Sequence, residues 1–310
     1  MKFNPKKMSF GRHETFPLRY SWLTKAYQEV VTDSAVFDAD DATVRLGVGK
    51  NMVNAIRYWA QATQIIEKTE TGYQPTKLGD FIFDENDGVD PYLEDEATIW
   101  LLHWHMASNP EQATCAYWMF NRYHKPEFTS EQALDSLMDF VKQNSNTKPS
   151  KNTLRNDVAV ALRMYSDARP KAKQFSDEFL DTPFASIKLL SLLPDHKTFK
   201  VQVGDHGHLP IEVVAYAIAS LFNATGKQEL AIEDLMYGNN DYPAPGAVFC
   251  LTESDFLYTL EKLEQRQDIP FKFQETAGVR VLYKISKSQL EPMSYLQHYY
   301  EQSNFLEAVA

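Results

Sequence analysis

Few residue groupings in this chain have types and spacings suited to chemistry. No phosphate loop, dinucleotide fingerprint, nucleophile elbow or zinc spacing occurs in its 310 residues. Three weaker groupings remain. Arg12-His13-Glu14 follows a glycine and sets an imidazole beside a carboxylate. Asp90, Glu94 and Asp95 stand in an acidic run from Asp84 to Glu96 that contains no Lys or Arg, and His103 and His105 follow further along. Paired carboxylates can hold a hard divalent cation and an imidazole can shuttle a proton. Each grouping also has a plain structural reading. Acidic residues at a helix N-terminus are stabilised by its dipole. Two histidines two positions apart point to different faces of a helix, so at least one is an ordinary packed or surface residue.

A different chemistry attaches to residues 50–61. Met52, Val53, Ile56, Trp59 and Ala60 form an apolar stripe at helical spacing, and the opposite face carries Lys50, Asn51, Asn54, Arg57, Tyr58 and Gln61. Asn and Gln pair with adenine edges and Arg with guanine edges. A second candidate contact is basic. Between Lys142 and Lys173, Lys142, Lys148, Lys151, Arg155, Arg163, Arg169, Lys171 and Lys173 face only Asp157 and Asp167. Lys148, Lys151 and Arg155, with Arg163, suit a track for phosphates; the alternative is a solvated helix face that offsets acidic neighbours.

The elements that must position these residues read as mainly α with small β-wings. Leu18, Trp22, Leu23, Ala26, Tyr27, Val30 and Val31 mark a first amphipathic helix. Asp40 or Asp41 can cap a short second helix holding Val44, and Gly47-Val48-Gly49 breaks it before the third helix. Ile65-Ile66, a polar turn and Tyr73-Gln74-Pro75 form a hairpin, and Thr76 caps a further helical turn. Helix, helix, glycine turn, helix, hairpin is the winged helix-turn-helix order, with the third helix in the recognition position. The middle third reads as a helical domain. Asp90-Pro91 is the expected start of one helix, Thr129-Ser130-Glu131-Gln132 a capping box for another, and Ser150 opens a third. In the last third, helices after Pro210 and Thr252, a short helix over Leu230 to Met236, strands at Phe271 and Val279, and a helix from Ser288 to Glu301 suggest a second winged-helix-like domain. The expected division is 1–89, 90–205 and 206–310.

Composition bounds the reading. Hydrophobic residues make up 44% and aromatics 13%, enough for packed cores. No run is apolar enough to span a bilayer, the first ten residues do not read as a signal peptide, and two cysteines give neither a disulfide framework nor a zinc set. These features fit a cytoplasmic protein without a membrane partner. The net charge of −11 argues against generic nucleic-acid binding. The charge is sorted along the chain, however. Residues 1–60 hold nine Lys/Arg against six Asp/Glu, and residues 61–150 hold six against fifteen. DNA contact would come from local basic faces.

Three stretches carry a resemblance. Phe10-Gly11-Arg12-His13-Glu14-Thr15-Phe16-Pro17-Leu18-Arg19 is followed by Trp22-Leu23-Thr24-Lys25. Leu46-Gly47-Val48-Gly49-Lys50-Asn51-Met52-Val53 is followed by Ile56-Arg57-Tyr58-Trp59. Thr76-Lys77-Leu78-Gly79 precedes Asp90-Pro91-Tyr92-Leu93-Glu94-Asp95 and Leu101-Leu102-His103-Trp104. Together they resemble the SspB-like family, a bacterial domain-of-unknown-function family of the single-strand DNA phosphorothioation (Ssp) defence system. The resemblance implies a DNA-nicking protein that works beside a cysteine desulfurase, an ATPase and a sulfurtransferase. For such a reaction the candidate catalytic residues are His13, Glu14, Glu94, Asp95 and His103. Asp90, Glu94 and Asp95 are candidate ligands for Mg²⁺ or Mn²⁺, and Lys50, Asn51, Asn54, Arg57, Lys148, Lys151 and Arg155 are candidate DNA contacts. A non-enzymatic transcription regulator and a scaffold subunit are the competing readings.

Overall fold

In the computed structural model the described residues are 1–145, 148–166, 182–239 and 241–309, with side chains described as far as 302. Arg169, Lys171 and Lys173 of the basic stretch, and Asp167, lie outside them. The protein is mainly helical with small antiparallel sheets. Its contacts group into two compact units, Asn4–Gln202 and Met1–Phe3 with Val203–Ala310.

The first unit begins with α1 (Tyr20–Thr32), which buries Trp22, Leu23, Ala26, Tyr27 and Val30. Val31, expected on the same stripe, is 59% exposed, one position beyond the face that packs. A short α2 (Ala42–Leu46) ends on Gly47 at φ 67°. The Gly47 and Val48 amides close back onto the carbonyls of Val44 and Thr43, which takes up the helix's last acceptors. Gly49 then leads straight into α3 (Lys50–Ala62). The hairpin of β1 (Ile66–Lys68) and β2 (Tyr73–Pro75) follows in the register Ile66↔Pro75, and α4 (Lys77–Phe83) closes this part. Thr76 caps α4 by accepting the Gly79 amide at 3.0 Å, and its hydroxyl donates to the Gln64 carbonyl at 2.6 Å. Tyr27 donates to Asp80 at 2.9 Å and ties α1 to α4.

The helix expected to start at Asp90-Pro91 starts later. Here α5 (Glu96–Ala107) follows Asp95, whose carboxylate accepts the Ala97 amide at 2.8 Å. Asp90 organises the turn before the helix, and Leu93 within that turn sits at φ 58°, which no helix tolerates. Every residue of α5 after Glu96 is buried, so this helix is the centre of the unit. Next to it pack α6 (Thr114–Asn121) and, through Tyr165 against His103, α8 (Lys151–Tyr165), and α7 (Ser130–Asn144) packs on α8. Thr129 and Gln132 form the capping box of α7, and Ser150 caps α8 by accepting the Thr153 amide at 3.0 Å.

The middle third also contains a sheet that sequence periodicity does not announce. In it β3 (Glu127–Thr129), β4 (Leu190–Leu192) and β5 (Thr198–Val201) lie in the order β3-β5-β4, all antiparallel. Strands of three or four residues carry too little alternation to stand out. The second unit packs α9 (Ile211–Thr225) against α12 (Glu253–Glu264) and α13 (Pro292–Val309). Its sheet orders β6 (Glu229–Ala231), β8 (Val279–Lys284) and β7 (Phe271–Thr276). Leu230, expected in a short helix, is therefore in a strand, and α10 (Ile232–Tyr237) starts after it. A further short helix, α11 (Pro245–Val248), lies within the turn-rich segment. Among the described residues no helix is long and apolar enough to cross a membrane.

Candidate functional site

The segment Gly11–Phe16 runs as an arm that touches both α3 and α8. Asp157, 4% exposed on the inner face of α8, holds its start. The Gly11 amide donates to both carboxylate oxygens, at 3.0 and 3.1 Å. His13, 3% exposed, places Nε2 2.6 Å from Asp157 Oδ1. The Thr15 amide donates to His13 Nδ1 at 3.0 Å, so Nδ1 carries the lone pair and Nε2 the proton that reaches Asp157. Both ring nitrogens are thereby used. The imidazole stacks on Trp59 of α3, with centroids 5.9 Å apart and planes 12° apart. Trp59 Nε1 donates to the Phe16 carbonyl at 3.0 Å, and Arg163 of α8 donates to the Thr15 carbonyl at 2.9 Å.

The arm is bent through the left-handed region, with Gly11 at φ 70°, Glu14 at 50° and Thr15 at 67°. Left-handed backbone costs a non-glycine residue roughly 1–2 kcal/mol. The bend leaves Arg12 and Glu14 exposed while His13 is buried between them. Beneath it lies a cavity of about 20 Å³ lined by His13, Tyr58, Cys115, Asp157, Met164 and Tyr165, among others. Burial pushes the Cys115 thiol and the Tyr58 phenol well up, and the Asp157 charge adds to both. Cys115 is therefore held as a thiol, not as a nucleophilic thiolate.

The other sequence candidates are distributed differently. Asp90 is buried and its two oxygens accept the Glu94 and Asp95 amides, at 2.8 and 3.1 Å, and the Thr98 hydroxyl at 2.5 Å. Glu94 is exposed at the turn and Asp95 caps α5. The three carboxylates do not converge on one point: among the described residues no three His, Cys, Asp or Glu side chains gather to hold a metal ion. No step through a metal follows from them. His103 is fully buried among Trp100, Phe120, Tyr165 and Phe184, with Nδ1 2.6 Å from the Tyr165 hydroxyl. His105, also buried, is pushed down to about 3 by loss of solvation.

On α3, Lys50 and Asn51 are exposed at the first turn. Asn54 and Arg57 are half-buried and tied to each other at 3.2 Å, and Arg57 also meets Asp38 at 3.4 Å. Tyr58, expected on the open face, turns toward His13 and Trp59 and donates to the Gln112 carbonyl at 3.1 Å. Its position next to Trp59 sets it at the edge of the stripe, where the arm covers it. Lys148, Lys151 and Arg155 lie at the start of α8 and just before it, Lys151 and Arg155 exposed and Arg155 3.8 Å from Glu131.

Sequence reasoning singled out His13 and passed over Asp157. A signal for it exists: Asp157 stands three residues after Leu154 and four before Ala161, on the apolar stripe of α8, where a lone carboxylate needs a buried donor.

Comparison with known proteins places the chain. The model of the family described as Protein of unknown function (DUF4007) matches residues 10–300. A crystal structure of SspB with magnesium bound is 29% identical, with a TM-score of 0.84 over 94% of this chain and 88% of that one. A second SspB crystal structure, also 29% identical, gives 0.83 over the same shares. No curated protein matches. With nearly its whole length matched, the chain belongs to the DUF4007 family and is similar in sequence and fold to SspB.

Proposed function

We propose that this protein is the DNA-binding, strand-nicking component of a bacterial single-strand DNA phosphorothioation system, acting in the cytoplasm beside that system's cysteine desulfurase, ATPase and sulfurtransferase. The observation that carries DNA binding is the run α1, α2, glycine turn, α3 and β1–β2 hairpin, with Lys50 and Asn51 exposed at the start of α3. In this reading the segment is a winged helix-turn-helix, and the N-terminal residues of its recognition helix enter the major groove. The likeness to SspB supports membership of the system.

Nicking is assigned to the arm. Exposed Glu14 is a base for a water, and the neighbouring Arg12 guanidinium neutralises charge on the phosphate. His13 positions both. Glu94 and Asp95 form the second candidate group, while His103 is buried against Tyr165. Because one of the SspB structures carries magnesium, Mg²⁺ and Mn²⁺ are the ions to supply. A supercoiled-plasmid assay with each ion, on wild type, Glu14→Gln and Glu94→Gln, tests this part. Relaxed circles from wild type and their loss in Glu14→Gln, with binding retained, are expected. Undiminished nicking by Glu14→Gln would remove the arm from the chemistry. Wild type that binds DNA and never nicks it would favour a non-enzymatic regulator. A protein that binds no DNA yet captures the other subunits would be a scaffold.

A further inference from the structure

We infer that α8 is a second DNA-reading helix, which sets Asn152 and Arg155 on base edges in a major groove and Lys151 on a backbone phosphate. This rests on the DNA-binding reading and adds to it a contact surface apart from α3. Three observations carry it.

The first is an internal repeat of topology. Helix α6, strand β3, helices α7 and α8 and strands β4 and β5 follow one another in the order of α9, β6, α10, α12, β7 and β8, apart from the short α11. In both sets the first strand pairs antiparallel with the last, giving β3-β5-β4 and β6-β8-β7. In both it runs without a break into the next helix, Thr129 into Ser130 and Ala231 into Ile232, and buries its middle residue, Phe128 or Leu230. Helix, strand, helix, helix and hairpin on one three-stranded sheet is the full winged-helix order, and the helix before the hairpin is the one that enters the major groove. In the middle module that helix is α8.

The second is charge. Helix α8 exposes Lys151, Asn152, Arg155 and Arg163, and Asp157, its one acidic residue, is buried. Its counterpart α12 carries Glu253, Asp255, Glu261 and Glu264 against Lys262. Two helices in equivalent places of one topology thus carry opposite charge, in a chain of net charge −11. A face kept basic against that background suits phosphate, and Arg and Asn pair bidentately with guanine and adenine edges.

The third is the open face. The clasp of His13 on Asp157 and the close approach of Gly11 to Thr153 put the arm on the side of α8 that holds positions 153 and 157. Lys151 and Arg155 each stand two positions earlier, about 200° away around the helix, and share a side with each other at i and i+4. The arm leaves both exposed, and Asn152 is exposed as well. The ion pair of Arg155 with Glu131, 3.8 Å long, joins side chains that are 47% and 65% exposed, so it holds the guanidinium only weakly.

The test is fluorescence anisotropy of the full chain over a salt series from about 50 to 200 mM. The probes are a labelled random-sequence duplex and labelled duplexes that wild type enriches from a randomised pool. Lys151→Ala should flatten the slope of log K against log salt by about 0.9 on both. Arg155→Ala and Asn152→Ala should each weaken binding of the enriched duplexes by about 5- to 150-fold, and of the random one by less. Glu131→Gln, which frees Arg155, should tighten binding. Lys262→Ala, on the acidic counterpart helix, should leave the slope unchanged. All five side chains are exposed, where substitution leaves folding intact, and thermal melts check it. Wild-type behaviour of the three α8 variants, with Lys50→Ala still weakening binding, would overturn the role of α8 and leave the α3 reading intact. An equal loss on random and enriched duplexes, or a pool that never enriches, would overturn base reading. A slope flattened as much by Lys262→Ala as by Lys151→Ala would overturn the assignment to α8. Failure of wild type to bind either duplex would overturn both readings together.

Discussion

His13 looks like a catalytic histidine in the sequence and behaves as a fastener in the fold. A general base needs a free nitrogen within reach of a proton; here one nitrogen accepts the Thr15 amide and the other donates to Asp157. The energetic weight of the pair follows from what its loss exposes. Asp157→Ala strands the Gly11 N–H and the His13 Nε2–H in a buried site, at about 1–3 kcal/mol for each. Urea melts should show a loss of about 3 kcal/mol, and a loss well under about 1 kcal/mol would contradict the clasp. The cysteines give a second residue-scale check. Burial pushes the Cys250 thiol up to about 12 and the Cys115 thiol well up. Native protein should therefore react with a thiol reagent at about pH 7.5 only as fast as it opens, and denaturant should release two equivalents at once. Fast labelling of one native cysteine would contradict this burial. His13 was legible because it stands in a short run of polar residues after a glycine. Its partner was not, because Asp157 is 144 residues away and its nearest charged sequence neighbours are basic.

At the scale of elements, what is local in origin can be read in advance and what is non-local cannot. The Thr129–Gln132 box and the caps at Ser150 and Thr252 depend on residues three apart, and all occur where the side-chain types place them. The β3-β5-β4 sheet pairs Phe128 with Phe199, far along the chain, and no local pattern encodes that. The late start of α5 has the same lesson in reverse. Asp90-Pro91 has cap-like chemistry, but the carboxylate spends its acceptors on the turn amides of Glu94 and Asp95 and on Thr98. The Thr76-Lys77-Leu78-Gly79 motif gains a reason from the structure. Thr76 caps the helix, and Gly79 lets α4 lie directly on the hairpin: a Cβ there would stand 2.3 Å from the Ile65 carbonyl oxygen. Gly79→Ala should lower stability by about 1–3 kcal/mol despite the better helix propensity of alanine, because backbone cannot give way as a side chain does. A melt showing stabilisation would contradict that packing.

At the scale of the whole molecule, the net charge of −11 and the proposed DNA contact are reconciled by sorting. The acidic run Asp84–Glu96 leads into the first residue of α5, while Lys50, Arg12, Lys148 and Lys151 are exposed on α3, the arm and at or just before the start of α8. Acid sensitivity of the fold follows from the buried imidazole of His105, held near 3 by loss of solvation. A base whose folded pKa is depressed leaves stability intact above its unfolded value of about 6.5 and removes it as pH falls toward the folded value. For His105 alone that is about 1.4 kcal/mol per pH unit below 6.5. Urea midpoints should therefore fall between about pH 7 and 5, and His105→Gln should flatten that fall; a flat wild-type profile would contradict it. The central claim is that the start of α3 contacts DNA, and equilibrium binding of a short duplex to wild type, Lys50→Ala and Asn51→Ala tests it most directly. The account predicts that Lys50→Ala weakens binding to all sequences alike and flattens the salt slope by about 0.9, while Asn51→Ala costs about 1–3 kcal/mol on preferred sites only. Binding by both folded variants that matches wild type in affinity and salt slope would contradict it.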